Sequence, residues 1–400
     1  MWGLLVACVG ADAVVEAAGV PGPTWHADVA PVVVRECAAC HRADGIAPFP
    51  LTSYDEAAPV ADAMAAATAE RSMPPFNLDN SGACNTFADA RWLTDEEIAT
   101  LGDWARAGAP EGTPPDVPPE APAHWTLDRV DLTLEMAEAY TPDASLEDDY
   151  RCFVLDPGLA EDRFVTGFGV RPGEPRMVHH LTLFALDSEE AEQDAEALDE
   201  AEPGSGYTCF GDTVVPSRWL VGSGPGDAGG AFPEGTGLRM SAGRKTVLQM
   251  HYNRAAGTWP DRTAVDLKLE ASVPAETRME RVAVTDLELP PGEPVVEASD
   301  AFTLGADHTV WGVWPHMHGL GTALRVVATR PDGETCLARV DDYAFHWQAF
   351  EFYEAPVELH EGDRVELTCT WDTTGRDTTT TWGTGTDDEM CIAFFYVTQR

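Results

Sequence analysis

The chain has 400 residues, 68 acidic against 25 basic side chains, a formal net charge of −43 and 44% hydrophobic content. The length exceeds one ordinary domain and the apolar content suffices for more than one core, so two to three domains are expected. The acidic balance opposes attraction to phosphate backbones and anionic lipid, which argues against nucleic acid as a partner.

Residues 1–24 read as an export signal and short linker. Trp2 to Val9 is an apolar run too short to span a bilayer, and no later stretch reaches about 18 consecutive apolar residues, so no transmembrane segment is expected. Leu5-Val6-Ala7-Cys8 resembles a lipoprotein signal-peptidase box, although no basic residues precede it. Cys8 is therefore a lipidation candidate, and a possible lipid anchor, beside the plainer reading of a small apolar cysteine.

Residues 25–112 are Ala-rich and helical in pattern. Thr94-Asp95-Glu96-Glu97 is a capping box that opens a helix to about Ala107, with Gly108 as its stop. Cys37-Ala38-Ala39-Cys40-His41 is the c-type haem attachment pattern. Two thiols at that spacing reach the two vinyl groups of one porphyrin, and His41 then lies under the iron. Met73, in Arg71-Ser72-Met73-Pro74-Pro75-Phe76, is the candidate sixth ligand because the prolines hold its loop extended and cannot donate backbone hydrogen bonds. Met64, on an Ala-rich helix, suits the core better. Methionine/histidine ligation raises the potential, as in electron-carrying cytochromes c. The block thus reads as a small all-α, cytochrome c-like domain with one covalently bound haem c.

Haem attachment is extracytoplasmic in bacteria. Of nine cysteines, six remain once Cys8, Cys37 and Cys40 are set aside, and leftover cysteines in that setting usually pair. An exported protein, periplasmic or at the cell surface, is expected.

Pro110 to Pro122 holds six prolines and no apolar period, so residues 113–124 read as a stiff linker. From Trp125 the pattern changes to short strands such as 163–170 and 364–371, separated by Gly/Pro turns, the signature of antiparallel β-sandwiches. Two all-β, jelly-roll-like domains are expected, 125–275 and 276–400. The acidic stretch Asp187 to Glu202 reads as an exposed loop.

Within the β region stand His179-His180, His251 in Gln249-Met250-His251-Tyr252, His316-Met317-His318, and Met390 in Asp388-Glu389-Met390-Cys391. Five imidazoles and one thioether divide into an all-nitrogen metal site and a nitrogen/sulfur one, and the soft thioether favours Cu(I). Alternate residues of a strand share a face, so His316 and His318 can grip one ion while Met317 packs away, with Trp314 on the histidine face if the strand is regular. Gln249 and His251 likewise share a face. Adjacent His179 and His180 can serve one metal only where the backbone kinks or the strand begins.

These segments, in order, resemble the copper type II, ascorbate-dependent monooxygenases, over roughly residues 125 to 398. The matches are a His-His pair followed by Leu-x-Leu-Phe, then Val-Leu-Gln-x-His-Tyr, Leu-Pro-Pro-Gly-Glu, His-x-His, and Asp-Glu-Met-Cys. The resemblance implies two coppers: an electron-transfer copper on His179, His180 and His251, and a catalytic, oxygen-binding copper on His316, His318 and Met390. It also implies disulfides Cys152–Cys209 and Cys369–Cys391, and leaves Cys84 and Cys336 unassigned.

Peptide-hydroxylating members of that family hold a peptide carboxylate with an arginine, an asparagine and a tyrosine at positions that here are Trp314, Ile392 and Phe394. An apolar trio cannot pair with a carboxylate, and burying one unpaired costs several kcal/mol. The expected activity is hydroxylation of a C–H bond of a small, neutral or aromatic substrate with dioxygen. The two electrons required would come through the fused haem c, fed by an external electron donor protein, with ascorbate as another candidate reductant. The alternative is a haem/copper electron-transfer protein without hydroxylase activity.

Overall fold

Capping signals and Ala-rich runs make the first quarter of the chain helical, and β-branched runs punctuated by glycine and proline make the rest sheet. The computed structural model describes residues 22–117 and 127–399, apart from positions 44, 46, 225–228, 332, 384 and 386. Cys8 and part of the proline-rich linker lie outside the described residues.

Between 22 and 117 the chain forms helices, turns and one isolated bridge, Phe87 to Tyr353. The helix Asp95–Arg106 opens on the capping box: the Thr94 hydroxyl accepts from Glu97 N–H, and the Glu97 carboxylate accepts from Thr94 N–H at 2.8 Å. It ends before Gly108, whose φ of 81° lies in the left-handed region that glycine adopts without strain. Its buried face, Leu101 and Trp104, packs on Trp25, Val29 and Val33 of the first helical segment.

The chain after the helix Ala61–Ala69 leaves this small core and docks on the C-terminal β region. Asp79 N–H donates to Arg339 O and Ala88 N–H to Phe352 O, each at 2.8 Å. Cys84 and Cys336, which the sequence leaves unassigned, form a disulfide. Leu78 and Phe87 belong to the same buried cluster as Val313 and Leu367.

The β region forms two sandwiches. In the first, a five-stranded sheet carrying Asp148–Leu155, Thr246–Asn253, Val178–Ala185 and Arg218–Ser223 in that spatial order packs on half of a nine-stranded sheet. Phe153, Leu183 and Leu248 from the former meet Val165, Leu238 and Leu267 from the latter. In the second, a four-stranded sheet packs its Leu324, Val326 and Leu367 against Val310, Val313 and Phe395 of the other half. The halves of the large sheet join where Ala275–Ala283 pairs in parallel with Thr236–Met240.

The acidic stretch expected as a loop is instead the helix Glu189–Ala201. Ser188 caps it, accepting from Ala191 N–H at 3.1 Å, and Ala191 and Ala195 are buried against Cys152, Tyr207 and Cys209. A helical period of alanines runs inside the acid-rich sequence, and alanine is the best helix former. Among the described residues, no helix is long and apolar enough to cross a membrane.

Candidate metal centres

The strand Val178–Ala185 pairs with Thr246–Asn253 in a register that shifts: Val178 faces Tyr252, but His180 already faces His251. His179 is the extra residue of a β-bulge, and such a kink re-aims side chains. It resolves the difficulty of two neighbouring histidines, because both rings now meet that of His251. His179 Nδ1 lies 3.2 Å from His180 Nδ1, which lies 3.1 Å from His251 Nδ1. Tyr150 stacks on His251 with ring centroids 4.1 Å apart. Asp148 Oδ1 sits 2.7 Å from His251 Nε2 and accepts a hydrogen bond from it, which leaves the Nδ1 lone pair directed at the other two histidines.

Burial, followed by the neighbouring imidazoles, pushes His179 down to about 3 and lowers His180 well below its ordinary value. Burial also lowers His251, against the pull of Asp148. Neutral imidazoles with ligand atoms all within 4.8 Å of one another are a donor set that suits copper or zinc.

His316 lies near the end of the strand His308–Met317, and His318 directly follows it. Their ring centroids are 5.4 Å apart, while Met317 is fully buried in the core of the second sandwich. His316 Nδ1 lies 2.5 Å from Gln348 Oε1, and His318 Nδ1 lies 3.0 Å from the Asp388 carbonyl. Donation from both Nδ1 atoms leaves the Nε2 atoms as free donors for a metal. Burial, with His318 nearby, pushes His316 down to about 4.

The adjacent strand Cys391–Gln399 pairs Met317 with Cys391 and His316 with Ile392. Met390, 8% exposed, directly precedes that strand, and Glu389 beside it accepts from both His318 N–H and Met390 N–H. The Cys369–Cys391 disulfide anchors the strand at this point, as Cys152–Cys209 ties the Asp148–Leu155 strand to the chain beyond. Fully buried Glu389 fastens the corner, accepting from His318 N–H at 3.0 Å, Leu320 N–H at 2.7 Å and Trp371 Nε1 at 3.0 Å.

One turn touches both clusters. Tyr343 Oη accepts from Met317 N–H and donates to Met317 O, both at 2.8 Å. The Phe345 ring lies 5.9 Å from His318, the His346 ring 5.7 Å from His179, and Gln348 holds His316. From the N-terminal block, Asn77 Nδ2 donates to Ala344 O and Trp347 O, each at 3.1 Å, and its Oδ1 accepts from Ala344 N–H at 2.9 Å.

In that block, Cys37 and Cys40 follow the helix Ala30–Glu36 as unpaired thiols. His41 Nδ1 lies 2.9 Å from Phe49 O, which fixes the ring and leaves Nε2 free. Met73, 36% exposed, lies on the segment that leads to Asn77. Two thiols at attachment spacing beside a histidine oriented through one nitrogen fit a covalently bound haem.

Trp314 lies 5.8 Å from His316 between ring centroids and pairs in register with Phe394. Sequence reasoning missed Trp219, which reaches across from the first sandwich to within 4.5 Å of Trp314 and 5.3 Å of Phe394. It also missed the supporting roles of Asp148, Gln348 and Glu389, and the placement of His346. Only Glu389 carried a local signal, its place in the Asp-Glu-Met-Cys segment.

Residues 297–399 match the family described as copper type II ascorbate-dependent monooxygenase, C-terminal domain. The chain is 27% identical over 275 residues to peptidylglycine alpha-amidating monooxygenase of Rattus norvegicus, covering 66% of this chain and 26% of that protein. It is 24% identical over 257 residues to tyramine beta-hydroxylase of Caenorhabditis briggsae, covering 57% of this chain and 40% of that one. DBH-like monooxygenase protein 1 of Homo sapiens is 24% identical over 253 residues. The chain thus spans less than half the length of these relatives. Together the matches support the copper type II monooxygenase family.

Proposed function

We propose that this chain is an exported copper type II monooxygenase that hydroxylates a C–H bond of a small neutral substrate, with a haem-bearing N-terminal block as its electron supply. The observation that carries the reading is the presence of two unlike donor sets: three converging Nδ1 atoms at His179, His180 and His251, and the His316/His318 pair, whose His318 N–H shares the Glu389 carboxylate with Met390 N–H. Copper bound in these sets supplies one-electron storage at each and, at the thioether-bearing one, activation of dioxygen.

The chain's own residues prepare both sets. Asp148 accepts a hydrogen bond from His251 Nε2–H, and the bulge at His179 turns two adjacent rings to one side. Gln348 and the Asp388 carbonyl hold the protons of His316 and His318 on Nδ1, so Nε2 faces the site. Glu389 fixes the corner that carries His318 and Met390. Trp314, Ile392 and Phe394 exclude water and offer no partner for a carboxylate, which favours a neutral or aromatic substrate over a peptide C-terminus.

Cys37 and Cys40 would attach haem c, with His41 and Met73 as axial ligands, a group that supplies one-electron transfer when bound. What supports this role is the seating of the block: Asn77 binds the turn whose Gln348 holds His316 and whose His346 approaches His179. Three disulfides fit an oxidising compartment.

Metal and haem analysis of the purified protein tests the cofactor assignment: two coppers and one haem per chain are expected, and zinc in their place would overturn it. Carbon monoxide added to the reduced protein separates an oxygenase from a pure electron relay. A copper carbonyl that disappears in Met390→Ile supports the oxygenase, and its absence from the parent supports the relay.

A further inference from the structure

A cavity of about 530 Å³ lies where the N-terminal block meets both sandwiches. Its floor is aromatic: Phe168, Trp219, Phe232, Phe350, Phe352 and Tyr396 line it. Its roof is the outer face of the helix Ala30–Glu36 and the following turn, at Val34 and Ala39, together with Ala88 and Ala90. Its charged lining groups are Arg35 and Arg91 against Glu36, Asp89 and Glu351, an excess of one carboxylate, and Arg35 is already paired with Glu36 and Glu97. A volume of this size with an apolar, aromatic floor is that of a small-molecule site.

Two aromatic side chains in series, Trp219 and then Trp314, stand between the cavity and the second donor set. Trp219 lines the cavity and packs on Trp314 and Phe394, and Trp314 packs on His316. Phe350, also in the floor, packs on Trp219 with ring centroids 6.1 Å apart. The backbone keeps Trp219 in place: the strand Arg218–Ser223 shifts register beside it, Leu183 facing Val221 but Phe184 facing Trp219. Gly222 is required for its seat, since a Cβ there would fall 2.7 Å from the indole ring.

We propose that this cavity is a small-molecule binding site separate from the metal sets, that it takes an uncharged, largely apolar molecule of one or two fused aromatic rings, and that Trp219 is the wall dividing it from the metal-bearing strand. The inference goes beyond the monooxygenase reading, since a molecule held behind Trp219 and Trp314 does not touch the His316/His318 set. The block that would carry the haem is then also one wall of this site, so the fusion builds a pocket that neither the helical block nor the sandwiches would have alone.

The test uses the full, haem- and copper-loaded protein with oxygen excluded, and equilibrium dialysis of 2-naphthol against 2-naphthoate at neutral pH. Saturable 2-naphthol binding is expected, with the anion bound at least about tenfold more weakly because the lining already carries more carboxylates than guanidiniums and the aromatic floor offers no partner. Val34→Trp from the roof and Ala231→Trp from the opposite wall should each weaken 2-naphthol binding by at least about tenfold, with copper content and haem spectrum unchanged. No binding in the parent, equal binding of the two probes, or binding indifferent to both filling variants would overturn the proposal; the first is also the result if haem itself fills the cavity. Copper content and the carbon monoxide reaction of the same samples judge the monooxygenase reading separately.

Discussion

Asp148 Oδ1 accepts a hydrogen bond from His251 Nε2 at 2.7 Å, and the same carboxylate oxygen accepts from Asn253 Nδ2 at 3.0 Å. One carboxylate thereby fixes both the tautomer and the tilt of a donor ring. Asp148→Leu should lower copper affinity at the three-histidine site by about 10- to 100-fold while leaving the His316/His318/Met390 site unchanged. Competitive titration against a chelator, followed separately for the two coppers, measures it; equal losses at both sites would contradict the assignment.

Acid should weaken the metal-free protein through its buried imidazoles. The folded protein holds His179, His180, His251 and His316 below the ordinary value of 6.5, two of them at about 3 and about 4. Between 6.5 and those values the unfolded chain binds protons that the folded one refuses, so stability falls as pH falls through the window. Each group contributes a slope of up to about 1.4 kcal/mol per pH unit. Denaturant unfolding at several pH values should show a shallower acid loss in His316→Gln than in the parent, and identical slopes would refute this account.

The Cys84–Cys336 disulfide closes a loop across a sequence separation of 252 residues. Loop-closure entropy assigns it about 5 kcal/mol. The double variant Cys84→Ser/Cys336→Ser should therefore melt well below the parent, and proteolysis should release the helical block first. A melting temperature within a degree or two of the parent would show that the docking contacts suffice without the bond.

Asn77 exchanges three hydrogen bonds with the turn Ala344–Trp347. Asn77→Leu strands the Ala344 N–H and the Trp347 carbonyl, while Ala344 O keeps its bond from Trp347 N–H, at a cost of about 1–3 kcal/mol. If the turn is the contact between the N-terminal block and the metal ligands, the variant should also slow reoxidation of reduced haem by dioxygen at unchanged haem content. Stopped-flow absorbance measures it, and an unchanged rate would place the contact elsewhere.

Much of this arrangement is local in the sequence and so was legible. The two-residue period of His316 and His318 puts both on one face whatever surrounds them, and the capping box at Thr94 marks its helix without help from the rest of the fold. The kink needed for His179 and His180 could be demanded from sequence, but its form, a bulge against Tyr252 and His251, depends on a partner strand about 70 residues away. Asp148, Gln348 and Trp219 join the site only through tertiary contacts, and no short pattern announces them. The helix Glu189–Ala201 was obscured because its charge was more conspicuous than its buried alanines.

The parallel pairing of Thr236–Met240 with Ala275–Ala283 has a mechanical consequence. The two sandwiches share one hydrogen-bonded plate and are not hinged like jaws, so the spacing between their donor sets is built in. Adjustment during turnover then falls to the side chains at the rim and to the turn Tyr343–Gln348, a segment that touches both donor sets and the helical block.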